Sequence, residues 1–179
     1  MSNIRRLTAV VLAVLLLVGC SGGTKSPKPT LYKPYRDDYY GIVYPGEMVY
    51  TVEEDEDGIV TFKAAQPDDS TFQIGVVRTK PLLFRDISTE MFESFVEEFL
   101  ISLQSEPDMT IVSNAKITLK NGRIGHEIVS VFPEAKEKAM AVVTYHKRVV
   151  LVIAFQSETR RFEARIPIFR DVLDSLQFF

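Results

Sequence analysis

His126 and His146 are the only imidazole groups of the chain, and Cys20 is its only thiol. A serine nucleophile needs a base, so an acyl-transfer site would have to run through one of these two rings. Neither ring sits in a nucleophile-elbow, phosphate-loop or zinc-protease motif. Two histidines are too few for an all-histidine metal site without carboxylate help. His126 lies in the alternating segment Arg123–Phe132. Taking Asn121-Gly122 as a two-residue turn sets Lys120 opposite Arg123, Leu119 opposite Ile124 and Ile117 opposite His126. On that register His126 shares an apolar face with Ile117, Leu119, Ile124 and Ile128. It therefore reads as a hydrogen-bonded core residue ahead of a metal ligand. His146, beside Lys147-Arg148, reads as a turn residue. The acidic run Glu53–Asp57 has oxygen ligands suited to Ca²⁺ but lacks the twelve-residue EF-hand spacing. A solvated hairpin loop is the simpler reading. Arg160, Arg161, Arg165 and Arg170 crowd the last helical pattern. Arg161 and Arg165 are four apart and share a face. That face would suit an acidic partner, against the plainer reading of a charged helix surface. No catalytic constellation emerges, and nothing calls for a metal or a cofactor.

The 179 residues are 46% hydrophobic and 25% charged, so the chain can bury one real core. Twenty-one basic residues against 24 acidic ones argue against a nucleic-acid binder. Six of the seven tyrosines fall between Tyr32 and Tyr50. Tyr40, Tyr44 and Tyr50 are expected to pack on the first strands. Tyr32 and Tyr35 lie among Pro29 and Pro34, which interrupt any regular element. They are expected to be exposed on a linker and available to a partner.

Residues 1–19 carry Arg5 and Arg6, an apolar run from Leu7 to Val18, and then Gly19-Cys20. The run is shorter than the roughly 20 apolar residues of a spanning helix and fits a secretory signal. Leu17-Val18-Gly19-Cys20 resembles the lipobox of bacterial lipoproteins at all four positions. That resemblance implies cleavage before Cys20, a diacylglyceryl group on its thiol and acylation of its amine. Two or three acyl chains, at about 0.8 kcal/mol per buried methylene, would anchor the chain firmly. The acidic remainder is not drawn to anionic headgroups, so the lipid must hold it. Ser21 after the cysteine implies the outer membrane, facing the periplasm, where the cell has one, and the cell membrane otherwise. Residues 20–34, rich in Gly, Ser, Pro and Lys, read as lipidated cysteine plus flexible tether. Residues 35–179 read as one globular domain.

Strand patterns fill the first half of that domain: Ile42–Tyr44 before Pro45-Gly46, Met48–Val52, Ile59–Ala64 and Thr71–Thr79. From Ser88 the period changes. Met91, Phe92, Phe95, Val96, Phe99, Leu100 and Leu103 form one helical stripe, with Ser88 as N-cap. Four strands follow: Thr110–Leu119, Arg123–Phe132, Ala139–His146 and Val149–Phe155. The last is apolar on both faces, which predicts a strand covered on both sides. A final helix spans Thr159–Leu173, with Pro167 expected to kink or divide it. The class is α+β, an α-β-α sandwich around a mainly antiparallel sheet, with the two helices on opposite faces.

Three segments, Tyr40–Gly46, Gly122–Glu127 and Val172–Phe178, together with this element order, resemble the PsbP-like fold. Bacterial lipoproteins such as DcrB share it. Met48 departs from the tryptophan many relatives carry after the Pro-Gly turn. The resemblance implies a sandwich without shared catalytic residues and an accessory role in binding or assembly. The expected function is thus a non-enzymatic, lipid-anchored envelope protein that binds another envelope protein. The alternative is a periplasmic binder of a small apolar or amphipathic ligand held between helix and sheet.

Overall fold

The computed structural model describes residues 31–67, 69–82 and 85–179, with backbone alone at 69–71. The signal segment, Cys20 and the tether up to residue 30 lie outside the described residues. Seven strands form one antiparallel sheet: β3 (Val49–Glu54), β4 (Val60–Gln66), β5 (Asp69–Arg78), β6 (Thr110–Thr118), β7 (Ile124–Phe132), β8 (Glu137–His146) and β9 (Val149–Glu158). Their order is β3-β4-β5-β9-β8-β7-β6, so β3 and β6 are the edges. A small antiparallel sheet joins β1 (Tyr32–Arg36), β2 (Tyr40–Pro45) and β10 (Gln177–Phe178) in the order β1-β2-β10. The helices are α1 (Thr89–Gln104) and α2 (Thr159–Asp174).

Period-two alternation along β9 divides the core. Leu151, Ile153 and Phe155 join Phe162, Phe169, Val172 and Leu173 of α2 in one apolar cluster. Val150, Val152 and Ala154 join Phe92, Val96, Phe99 and Leu103 of α1 in the other. The two helices cover opposite faces, as the doubly apolar strand required. The small sheet shares the α2 side, since Tyr40, Ile42 and Tyr44 lie in the α2 cluster. The segment Ile42–Tyr44 thus belongs to a second sheet, not to the main one. Arg78, buried at the end of β5, binds Asp37 at 3.2 Å and sits 4.3 Å from the Tyr39 ring centre. Those contacts tie the two sheets together.

Helix α1 starts where the pattern said it would: Ser88 Oγ accepts from the Met91 amide at 3.2 Å. Helix α2 runs through Pro167 as one element. Proline removes one main-chain bond and crowds the preceding turn. Phe162 on one side of it and Ile168, Phe169, Val172 and Leu173 on the other are buried in the same cluster, and this packing holds the helix together. Among the described residues no helix is long and apolar enough to cross a membrane.

Two further expectations change. Strand β1 begins at Tyr32, inside the stretch read as a tether. Pro34 is tolerated there because β1 is a sheet edge, where a missing N–H faces outward. The Asn121-Gly122 hairpin is also one residue wider than expected. Thr118 faces Ile124, Ile117 faces Gly125 and Lys116 faces His126. The loop is Lys120-Asn121-Gly122, closed by the Leu119 amide on the Arg123 carbonyl at 2.8 Å, with Gly122 at φ +79°. A three-residue loop with a left-handed glycine satisfies the same sequence as the two-residue turn. A one-residue slip changes faces. Ile117 and Leu119 therefore pack on the α2 side, while Ile124 and Ile128 pack on the α1 side.

Candidate functional site

His126 lies on the α1 side with its side chain 12% exposed. Its Nε2 is 3.0 Å from Glu93 Oε2 on α1, and Lys116 Nζ donates to Glu93 Oε1 at 2.6 Å. The bond from Lys116 is the main cause holding the Glu93 carboxyl below its ordinary range, with His126 adding to it. Phe92 touches the His126 ring edge-on at 5.9 Å. This network staples α1 to β6 and β7. A histidine base needs a proton donor in reach, whether a side chain, a water or the substrate. Nδ1 is buried without a partner, and among the described residues no hydroxyl or thiol bonds to either ring nitrogen. His126 is largely buried and hydrogen-bonded, as expected of a core histidine, although its partner is Glu93 and its apolar neighbours are Ile124 and Ile128 and not Ile117 or Leu119. His146 closes β8 opposite Val149 and packs at a tilt against Phe178, ring centres 4.9 Å apart. Burial, then Arg123 and Lys147, lowers its pKa.

The arginines of α2 do not form the surface expected of them. Arg165 is 3% exposed and lies 4.1 Å from the Phe72 ring centre. The side chain of Arg161 is 14% exposed and binds Glu158 at 3.5 Å. Both point inward because their aliphatic stems extend the apolar stripe and their charged heads find partners there. Arg160, also on Glu158 at 2.7 Å, and Arg170, paired with Glu127, stand out into solvent, their side chains 63% and 42% exposed. An acidic partner does not find Arg161 and Arg165 presented to it.

Tyr32 and Tyr35 are corrected in the same way. The Tyr32 hydroxyl donates to Asp171 of α2 at 2.7 Å. Burial, then that carboxylate, raises its pKa. The Tyr35 ring is 4.5 Å from Phe62, 5.8 Å from Tyr40 and 5.9 Å from Tyr50. Both belong to the domain and not to a loose linker. Strand pairing across Tyr32↔Pro45 and Tyr35↔Ile42 draws them in. The sequence held no signal for this: Tyr32, Pro34 and Arg36 on one face and Lys33 and Tyr35 on the other show no apolar alternation.

Tyr35 leads to a surface that sequence reasoning missed. All six residues of β3 are exposed. Val49 is 63% exposed, Tyr50 46% and Val52 45%. The Tyr50 ring rests on Tyr44 at 5.4 Å, on Phe62 at 5.4 Å and on Tyr35 at 5.9 Å, which fixes it in place while leaving it accessible. β3 pairs with β4 alone. The Asp55 amide donates to the Ile59 carbonyl at 3.1 Å. Alternation from that bond turns the main-chain groups of Glu54, Val52 and Tyr50 to the open side. At the far end, Asp55 Oδ1 accepts from the amides of Asp57 and Ile59, so this carboxylate caps its own turn. Among the described residues no group of three or more His, Cys, Asp and Glu gathers to hold a metal ion. Glu47, Glu53, Glu54 and Glu56 form no ion pair among the described residues. The edge is thus an open backbone row with apolar side chains, flanked by acids. β-Sheet edges of this kind are templates for strand addition.

Comparison with known proteins bears on the fold. No protein-family model and no curated protein matches the chain. Among solved structures it is similar to the PsbP protein of the cyanobacterium Synechocystis, with a TM-score of 0.59 and 15% identity over 90% of this chain and 99% of that one. A Pseudomonas aeruginosa protein of unknown function is similar at TM-score 0.49 and 15% identity, over 80% of this chain and 94% of that one. A Bacteroides thetaiotaomicron protein reaches 0.43 at 12% identity, over 78% and 45%. The last two fall too low to carry an argument. The fold is PsbP-like.

Proposed function

We propose that the chain is a non-enzymatic accessory protein, lipid-anchored through Cys20 in the cell envelope, that captures an extended segment of another envelope protein along β3. The wholly exposed β3 edge carries this reading. The segment would add as a strand, its backbone bonding to Tyr50, Val52 and Glu54. It would carry basic residues, because acids crowd the ends of β3: among the described residues Glu47, Glu54 and Glu56 have no ion-pair partner, and Glu53 has only Lys63 near it. Apolar residues at alternate positions would lie on Tyr50 and Val52. The PsbP-like fold supports an accessory role by analogy alone.

Val52→Pro tests the docking mode. The Val52 amide points away from β4, so proline there blocks an added strand and spares the β3–β4 ladder. With a photo-cross-linker at Thr51 in native membranes, the wild-type chain should yield a cross-linked partner. Val52→Pro should reduce that product at least tenfold while shifting the melting temperature by no more than a few degrees. An unchanged product in Val52→Pro overturns the reading.

A further inference from the structure

The α1 face of the sheet does not close where α1 begins. A cavity of about 230 Å³ lies there between the first turns of α1 and the ends of β4, β5 and β9. Its wall is apolar: Ile59, Leu82, Ile87, Met91, Phe95 and Val150. The frame around it is held by main-chain bonds. The Thr79 amide donates to the Val150 carbonyl at 3.0 Å, Leu82 to Arg148 at 3.0 Å and Ile87 to Lys147 at 2.6 Å. The Val150 amide in turn donates to Thr79 Oγ1 at 3.0 Å. These bonds fix the wall without any ligand, as binding cavities are commonly pre-formed.

The rim has a different character. Lys80 and Arg148 both line the cavity and are both exposed. Neither has an ion-pair partner among the described residues. Asp57 is the acid that shares the rim with them. A shallower cleft continues past Met91 and Phe95, and there Asp86, Glu90 and Glu98 outnumber the single cation Arg85. An anion is therefore drawn to the Lys80–Arg148 side and turned away from the other. In a chain of net charge −3, two unpaired cations over an apolar cavity stand out.

We propose that this cavity binds a small amphipathic organic anion, a monocarboxylate whose alkyl or phenyl body fills the cavity while its carboxylate meets Lys80 and Arg148. Size sets the body. A dry cavity of about 150 Å³ takes up benzene, so one of 230 Å³ takes roughly nine non-hydrogen atoms. A medium-chain acid fits, and a full membrane acyl chain does not. The site lies at the α1 end of β4 and β5 and includes no residue of β3, so it stands or falls independently of the strand-docking reading.

The test is titration of the purified full-length protein with octanoate, followed by amide chemical shifts, with octanol as the uncharged match. Octanoate should shift the amides of Ile59, Ile87 and Val150 saturably. Lys80→Ala with Arg148→Ala should weaken it at least fivefold while leaving octanol unchanged. Both residues are exposed, so the double variant folds. A second variant, Met91→Trp, fills the cavity and should weaken both ligands. Octanoate binding that is unaffected by the double variant, equal affinity for octanoate and octanol in the wild type, or no shift at millimolar octanoate would each overturn the proposal.

Discussion

Tyr35 shows how one side chain changes standing once its neighbours are placed. Read along the chain, it sits in a proline-interrupted linker; in the fold, it is wedged among Phe62, Tyr40 and Tyr50. Tyr35→Ser should therefore lower stability by about 2–3 kcal/mol, somewhat less than a fully buried aromatic costs. Chemical denaturation measures this, and a loss below about 0.5 kcal/mol would return Tyr35 to the surface. Glu137 is a second case, invisible in sequence. It is 2% exposed and accepts a hydrogen bond from Gln156 Nε2. Burial raises its pKa, with Glu158 adding to the effect and the Gln156 bond opposing it. An acid whose folded pKa lies above its unfolded one binds more protons in the folded state. Stability is then highest below the unfolded value and falls as pH rises through the folded one. Glu137→Gln keeps the hydrogen bond to Gln156 and removes the titration. The variant should gain on the wild type as pH rises from about 4.5 and then hold a constant advantage. Denaturation midpoints at several pH values decide it, and a pH-independent difference would be the contrary result.

At the scale of elements, legibility depended on whether a signal was local. Ser88 and the stripe Phe92, Val96, Phe99 and Leu103 specify α1 by themselves, and the structure has it within a residue. The double apolar run of β9 likewise carried its covering on both faces. The Asn121-Gly122 hairpin did not reveal its register, because two loop lengths suit the same dipeptide. The choice was made by distant contacts, including the Asn121 side-chain amide on the Leu176 carbonyl at 3.2 Å. The second sheet was illegible for the same reason: β2 pairs with β10, at the other end of the chain. So was the open β3 edge, since exposure on both faces of a strand depends on which strands fail to arrive. Pro167 lies on an exposed face inside an unbroken helix. Pro167→Ala restores a main-chain donor toward Glu163 and removes the ring clash. It should stabilise the domain by about 1–3 kcal/mol, which thermal unfolding would register as a rise of several degrees. A fall would mean that the helix needs its proline-imposed geometry to pack.

For the molecule as a whole, the entry point of the chain matters most. The Gly46 amide donates to the Leu31 carbonyl at 2.8 Å, and a Cβ at Gly46 would come within 2.9 Å of that oxygen. The chain coming from Cys20 therefore reaches the domain beside the β2–β3 turn, at the start of the open edge. The six residues of β3 extend ~20 Å from that turn to the acidic loop. An anchored domain would hold the start of β3 near the bilayer and the acids of its far end, Glu53, Glu54 and Glu56, away from anionic headgroups. The partner strand would then be met at the membrane surface, and anchoring would raise its effective concentration. Three outcomes follow for Cys20→Ala. Labelled palmitate should no longer attach, and the signal segment should stay uncleaved. Cross-linking from Thr51 should drop several-fold although β3 is untouched. Adding about 20 Gly and Ser residues after Cys20 should keep the label and lower cross-linking by a smaller factor, because a longer linker dilutes the edge over a larger volume. Palmitate retained in Cys20→Ala would remove the anchor from this account. Cross-linking insensitive to both changes would place the partner in solution and not at the membrane.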